Sequence, residues 1–200
     1  MSFLAEKCTF TVLTKEVIDQ SADFDCGHSD LNDFFRNDCI DYSNQLLGKT
    51  YCFLLDEDPT QIICAFTVAN DSIKTNILPN SRKKRVIKKI PHVKHFNSYP
   101  AVLIGRLGVN EAYKCQGVGR QLMDFIKSWF IDPFNKTGCR FVVVDSYNEK
   151  QPVRYYQKND FDFIFSTEEQ EREALRPKSE EPLTTRLMYF DLIILSADIS

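Results

Sequence analysis

The chain lacks the cysteine spacing of a metal or disulfide scaffold. Its seven cysteines, Cys8, Cys26, Cys39, Cys52, Cys64, Cys115 and Cys139, form no Cys-x-x-Cys pair. An odd, scattered set argues against a disulfide framework and against zinc. No run approaches the roughly 20 apolar residues that span a bilayer. The N-terminal Met-Ser-Phe-Leu-Ala-Glu-Lys-Cys carries neither an apolar h-region nor a cleavage signal. These absences predict a cytoplasmic protein with no metal and no membrane contact. Histidine is scarce, at His28, His92 and His95, so no histidine-based machinery stands out. There is no internal repeat and no low-complexity tract. What is present is apolar material: 43% hydrophobic residues, 16 of them Phe, in 200 residues. That suits a single domain over 1–200 with a full-sized core.

One stretch concentrates the remaining information: Lys114, Cys115, Gln116, Gly117, Val118, Gly119, Arg120. The apolar run Ala101–Ile104, continued by Leu107 and Val109, precedes it. Val118, Leu122, Phe125, Ile126 and Trp129 follow at helical spacing. Strand, glycine loop and helix in that order aim several backbone N–H groups, and the positive end of a helix, at one spot, which suits phosphate. No second glycine lies three residues after Gly119, so the dinucleotide fingerprint is absent. No Gly-Lys-Ser/Thr follows either, which excludes a nucleoside-triphosphate loop.

Downstream, Phe141–Asp145 reads as a buried strand and leads to Pro152-Val153-Arg154-Tyr155-Tyr156-Gln157-Lys158-Asn159-Asp160-Phe161. Loop, helix, strand, then a short helix with a tyrosine ahead of a phenylalanine resembles the GNAT acetyltransferase family. The family's Arg/Gln-x-x-Gly-x-Gly/Ala loop is met by Lys114, Gly117 and Gly119. Its Phe-Tyr-Glu-Lys-x-Gly-Phe helix end is met by Tyr155, Tyr156, Gln157, Lys158 and Phe161. Phe24-Asp25-Cys26-Gly27, Leu31-Asn32-Asp33-Phe34-Phe35 and Ile104-Gly105-Arg106-Leu107-Gly108-Val109 resemble the branch that includes bacterial toxins acting on aminoacyl-tRNA. The chain departs from the family at Lys114, at Cys115 and Asp160 where glycine is usual, and at Glu149, which stands where a cofactor-binding asparagine is usual, with Asn148 beside it.

The resemblance implies an α/β fold: a mixed central sheet flanked by helices, with a splayed central strand pair. It implies acetyl-CoA as co-substrate and direct attack of a primary amine on the thioester. Leu107, Gly108 and Val109 would line the pantetheine arm, and a backbone N–H there would hold the oxyanion. Lys114, Cys115, Gln116, Gly117, Val118, Gly119 and Arg120 would take the pyrophosphate, with Asn148 as a further cofactor contact. Tyr156 is the candidate general acid; the alternative is a ring that only packs on the cofactor. No general base stands out. Asp145 at a strand end is one option and water the default. Cys115 as a nucleophile is a minor option. The acceptor amine is open among small molecules, proteins and aminoacyl-tRNA. A homodimer, an antitoxin partner and a non-catalytic acyl-CoA- or RNA-binding module are open too.

The local reading gives strands at Thr9–Leu13, Tyr51–Leu55 and Ile62–Val68, the last two a hairpin around Asp56–Pro59. Ser29 is expected to cap a helix through Leu31, Phe34, Phe35 and Cys39. The long helix should stop at Asp132-Pro133. Closing strands are expected near Phe163–Phe165 and Leu187–Phe190. A basic insertion at about 74–98 stands apart: from Ser72 to Asn110 there is no Asp or Glu, and Arg82–Lys89 carries six cations, with His92, Lys94 and His95 beyond. It reads either as a phosphate contact or as an amphipathic helix, Val86, Ile87 and Ile90 inward and lysines in water. Glu168, Glu169, Glu171, Glu173, Glu180 and Glu181 form an acidic counterpart, expected as a mobile loop or short exposed helix.

Overall fold

A computed structural model describes residues 2–91, 96–176 and 181–196. His92, Lys94, His95 and Glu180 lie outside the described residues. The fold is mixed α/β. Its strands are β1 (Cys8–Val12), β2 (Lys49–Leu55), β3 (Asp58–Lys74), β4 (Ser98–Val109), β5 (Phe141–Tyr147), β6 (Asp162–Phe163) and β7 (Thr185–Asp191). Backbone pairing orders them β1-β2-β3-β4-β5-β7-β6 in one seven-stranded sheet. Contacts divide the chain into two compact units: Met1–Ala69 with Ile104–Ile126, and Asn70–Leu103 with Lys127–Ser200.

In the first unit α1 (Phe3–Lys7) and α2 (Lys15–Gln20) flank β1 in the chain, β1 pairs antiparallel with β2, and β2 with β3; a register shift at Phe53–Leu55 bends the hairpin. The hairpin turn is tighter than the sequence suggested, because β3 already begins at Asp58. On one face Phe10 packs on Phe53 and Phe125, with ring centroids 5.2 and 4.7 Å away. Another cluster gathers Leu13, Phe34, Phe35, Cys39, Cys52, Ile62 and Ala65. The expected helix after Gly27 is present: α3 (Ser29–Asp33) runs without a gap through a π-turn (Phe34–Asp38) into α4 (Cys39–Asn44). Ser29 does not cap it: His28 holds the N-cap position, and the Ser29 hydroxyl donates to Asp30 instead. The helix α6 (Val118–Ile131) ends just ahead of Asp132-Pro133, because proline disfavours helical geometry in the residue before it.

In the second unit β5 and β7 pair antiparallel from Phe141↔Asp191 to Tyr147↔Thr185, and β6 adds two residues to β7. The strand expected at Phe163–Phe165 is shorter, because Ile164 and Phe165 turn inward and bury. The basic run forms α5 (Asn80–Ile87), with Val86 fully buried. The amphipathic reading holds, with Ile87 and Ile90 packed against the core and Lys84, Lys88 and Lys89 exposed, but Arg82 departs from the other cations. It is buried, and its guanidinium donates to the carbonyls of Ile164 and Phe163. Arg85 pairs with Asp162 at 2.7 Å. The acidic segment supplies α8 (Glu168–Leu175), and Glu171 corrects the exposed reading: it is 1% exposed and ion-paired to Arg186. No helix among the described residues is long and apolar enough to cross a membrane.

Candidate functional site

Gly117 has φ +82° and Cys115 φ +60°. Two left-handed residues in three turn the chain sharply between a short 3₁₀ turn (Glu111–Tyr113) and α6. The backbone N–H groups of Cys115, Gln116, Gly117 and Val118 donate to no group among the described residues. The first bonds of the helix come later, from Arg120 and Gln121 to the Gly117 carbonyl at 3.1 Å. A Cβ at Gly117 would meet nothing closer than 3.9 Å, so the space before these N–H groups is open. Four free donors at the N-terminus of a 14-residue helix make an anion cradle. The Cys115 and Asp160 departures also find their reason here. Both sit where φ is positive, +60° and +64°, the conformation that makes glycine usual at such positions.

The side chains near the cradle are arranged less freely. Lys114 Nζ lies 2.5 Å from Glu111 Oε1. Arg120, whose side chain is exposed, has only a long 3.9 Å contact with Asp124. Gln116 donates to the Ala112 carbonyl and Gln121 accepts from Ser2 and Leu4. Backbone N–H groups, with Arg120, are therefore the groups at liberty to meet an anion.

The Phe24–Gly27 loop is stitched to this region. Asp25 accepts from the Gly27 N–H and the Asn32 amide, both at 2.7 Å, while Asn32 accepts from the Cys26 N–H at 2.9 Å. The Asp25 carbonyl takes the Glu111 N–H at 2.8 Å, fixing the 3₁₀ turn ahead of the cradle. Gly108 of β4 is buried under the same loop; a Cβ there would sit 3.0 Å from the Cys26 Cβ and 3.3 Å from the Phe24 ring. Leu107 and Val109 flank it, half-buried. Asn110 then anchors the end of the strand to the Ile62 and Ile63 carbonyls. The sequence pattern showed these motifs but not that one supports another, because the bonds join residues about 85 positions apart.

The Gly27 N–H first, then the Asn32 amide, with Lys114 adding a smaller contribution, hold the Asp25 carboxyl below its ordinary range. The sign follows: this stabilisation is complete above about pH 3.9, the unfolded value, and disappears as pH falls through the lowered folded one. Asp25→Ala is expected to speed amide exchange at Cys26 and Gly27 at pH 7 and to remove that acid-side loss of loop protection. Amide exchange followed from pH 7 to pH 3 in both proteins checks it.

In the second unit, α7 (Lys150–Lys158) carries Tyr155 and Tyr156. Tyr156 packs edge-on against Tyr155, at 5.1 Å between centroids, and against Phe161 at 5.4 Å. Its hydroxyl has no hydrogen-bond partner among the described residues, and burial pushes the phenol well above its ordinary value. The helix end is fixed from beneath: buried Lys127 donates to the Asn159 carbonyl at 2.7 Å and lies 3.8 Å from the Phe190 ring centre. Asn148 donates to Glu168 and to the Leu183 carbonyl, so its amide is already engaged. Glu149 holds the N-cap position of α7 without a side-chain cap. Asp145 lies inside β5, opposite Leu187, rather than at a strand end.

Cys115 is the exposed cysteine; the other six are buried or half-buried. Burial raises the thiols of Cys8, Cys39 and Cys139 to about 11 and that of Cys52 to about 12. Two units of pKa cut the reactive thiolate roughly 100-fold. Iodoacetamide at pH 7.5 is therefore expected to label Cys115 alone, the rest following only in denaturant; peptide mapping by mass spectrometry checks it.

A model of the acetyltransferase (GNAT) domain matches residues 50–162. Among solved structures, a tyrosine-to-phenylalanine mutant of KacT is similar with a TM-score of 0.70 at 15% identity, over 96% of this chain and 99% of that one. AtaT complexed with acetyl-methionyl-tRNA gives 0.64 at 18%, over 96% and 99%. AtaTR bound with AcCoA gives 0.64 at 18%, over 98% and 99%. At these identities the likeness to the solved structures is one of fold.

Proposed function

Because the chain belongs to the GNAT acetyltransferase family, we propose that it moves the acetyl group of acetyl-CoA to a primary amine by direct attack on the thioester. The observation that carries the reading is the cradle: four backbone N–H groups from Cys115 to Val118, open to an anion. They would take the pyrophosphate, with Gly119 in the helix start and Arg120 as the adjacent cation. Lys114 would join only by leaving Glu111. The Leu107–Val109 backbone would hold the pantetheine arm and offer an N–H to the oxyanion. Tyr156 would give the departing thiolate its proton. The amine loses its proton to water. Asn148 would reach cofactor only by leaving Glu168 and the Leu183 carbonyl.

Toxin-like acetylation of aminoacyl-tRNA is the favoured acceptor within this reading. Its support is the Phe24–Gly27 loop, which this chain uses to brace the cradle, together with the similar AtaT, whose structure is complexed with acetyl-methionyl-tRNA. AtaT bound to the C-terminus of the antitoxin AtaR makes an antitoxin the partner to seek. The location is taken as cytoplasmic, and the two units together as one transferase domain, since the matched residues 50–162 run through both.

The test is transfer of label from acetyl-CoA to a charged tRNA pool, with amino acids and peptides in parallel. Label on the aminoacyl group is the expected result. Label on free amines alone would overturn the tRNA acceptor and keep the transferase. Acetyl-CoA binding with no transfer to any amine would favour the non-catalytic alternative.

A further inference from the structure

Arg106 has no role in the chemistry above. It lies on β4 immediately before Leu107–Val109, its side chain exposed. Arg36, Arg85, Arg140, Arg172 and Arg186 each pair with a carboxylate. Arg106 has no ion pair among the described residues. Its guanidinium lies over the Phe34 ring, 5.1 Å from the centroid, and gives one N–H to the Gly105 carbonyl at 2.8 Å. That leaves most of its five donors free.

Its platform is held in place. Phe34 is buried and meets Phe35 and Tyr42 edge-on at 5.6 and 5.7 Å. Phe34 also opens the π-turn, where the Cys39 N–H bonds back five residues to the Phe34 carbonyl, a slip that recurs at functional sites. The ring face attracts the guanidinium while most of its donors stay open. The planar fork of arginine, which lysine lacks, matches the paired oxygens of a phosphate or carboxylate. A strand rises about 3.3 Å per residue, so the base of this cation is within roughly 10 Å of every residue proposed to hold the thioester.

We infer that Arg106 is a specificity residue that binds an oxyanion of the acceptor next to the reacting amine. The inference rests on the transferase reading. The oxyanion is a terminal phosphate in aminoacyl-tRNA or the carboxylate of a free amino acid.

Arg106→Ala, Arg106→Lys and Phe34→Leu in the full chain test it, with acetyl-CoA affinity from calorimetry measured beside transfer kinetics. Arg106→Ala is expected to raise acceptor KM at least tenfold, with kcat and acetyl-CoA Kd within twofold of wild type. Arg106→Lys and Phe34→Leu should fall between. With tRNA, the slope of log(kcat/KM) against log salt should fall in magnitude by about one. With amino acids, the effect should be present for glycine and absent for glycinamide. Fluorescence anisotropy with deacylated tRNA reads the same contact without passing through transfer. Unchanged acceptor KM, salt slope and tRNA affinity in Arg106→Ala would overturn the inference, as would wild type that binds neither tRNA nor amino acid. The acetyl-CoA Kd reports separately on the transferase reading.

Discussion

Tyr156→Phe is expected to lower kcat by roughly 10² to 10⁴, the range of general acid catalysis, while acetyl-CoA Kd stays within twofold. The ring contacts with Tyr155 and Phe161 do not use the hydroxyl, so phenylalanine keeps the packing. The hydroxyl has no protein partner among the described residues, so its removal strands no buried donor. Fold and stability should therefore be preserved, which isolates the proton. The raised phenol adds a second signature. A group held well above its ordinary value by burial stays protonated across the working range, so kcat should show no alkaline fall from phenol ionisation. Stopped assays of wild type and variant from pH 6 to pH 9.5 decide the matter. A variant with unaltered kcat would reduce Tyr156 to a packing residue.

Glu171→Ala should produce the largest loss of stability. Glu171 is 1% exposed and accepts from Arg186 Nε and from the Leu187 N–H, both at 2.7 Å. Arg186 is itself buried and lies 4.6 Å above the Phe163 ring. Removing the carboxylate leaves a buried cation uncompensated and a strand N–H unpaired. Breaking such a pair costs about 3–5 kcal/mol, and in a chain of this size about 6–20 °C in Tm. Glu171→Gln keeps an acceptor for Leu187 and should lose less. A double change, Glu171→Leu with Arg186→Met, removes both charges and should recover much of the loss. Calorimetric melting of the four proteins checks the series, and a Tm within 2 °C for Glu171→Ala would contradict it.

The same residue shows where sequence reading stops. Apolar runs placed β2, β4, β5 and β7 to within a few residues, because buried strands are written locally in Phe, Val and Ile. The glycine loop and the stop of α6 at Asp132-Pro133 were equally local. Charged positions were not. Glu171 and Arg82 stand in runs of like charge that read as solvated, yet each is buried by a partner 15 or 82 residues away. The Asp25–Asn32 lock and its bond to Glu111 are invisible for the same reason. Periodicity reports which face is apolar; it carries no record of which distant carbonyl or carboxylate a polar side chain will find. Within the candidate site, the cradle's backbone geometry was legible from Gly117. The engagement of Lys114 by Glu111, and of Asn148 by Glu168, was not.

Six shielded thiols also govern how the molecule behaves once it opens. Unfolding releases all of them at once into a chain that already exposes Cys115. Away from their burial, they return toward ordinary acidity and exchange with any disulfide or oxidant present. Each mispaired bridge is a covalent trap, because Cys39, Cys52 and Cys64 are fully buried as free thiols in the folded chain. Heating and cooling would then be reversible in reductant and one-way without it, so the lifetime of this protein outside a reducing medium is set by its rate of opening.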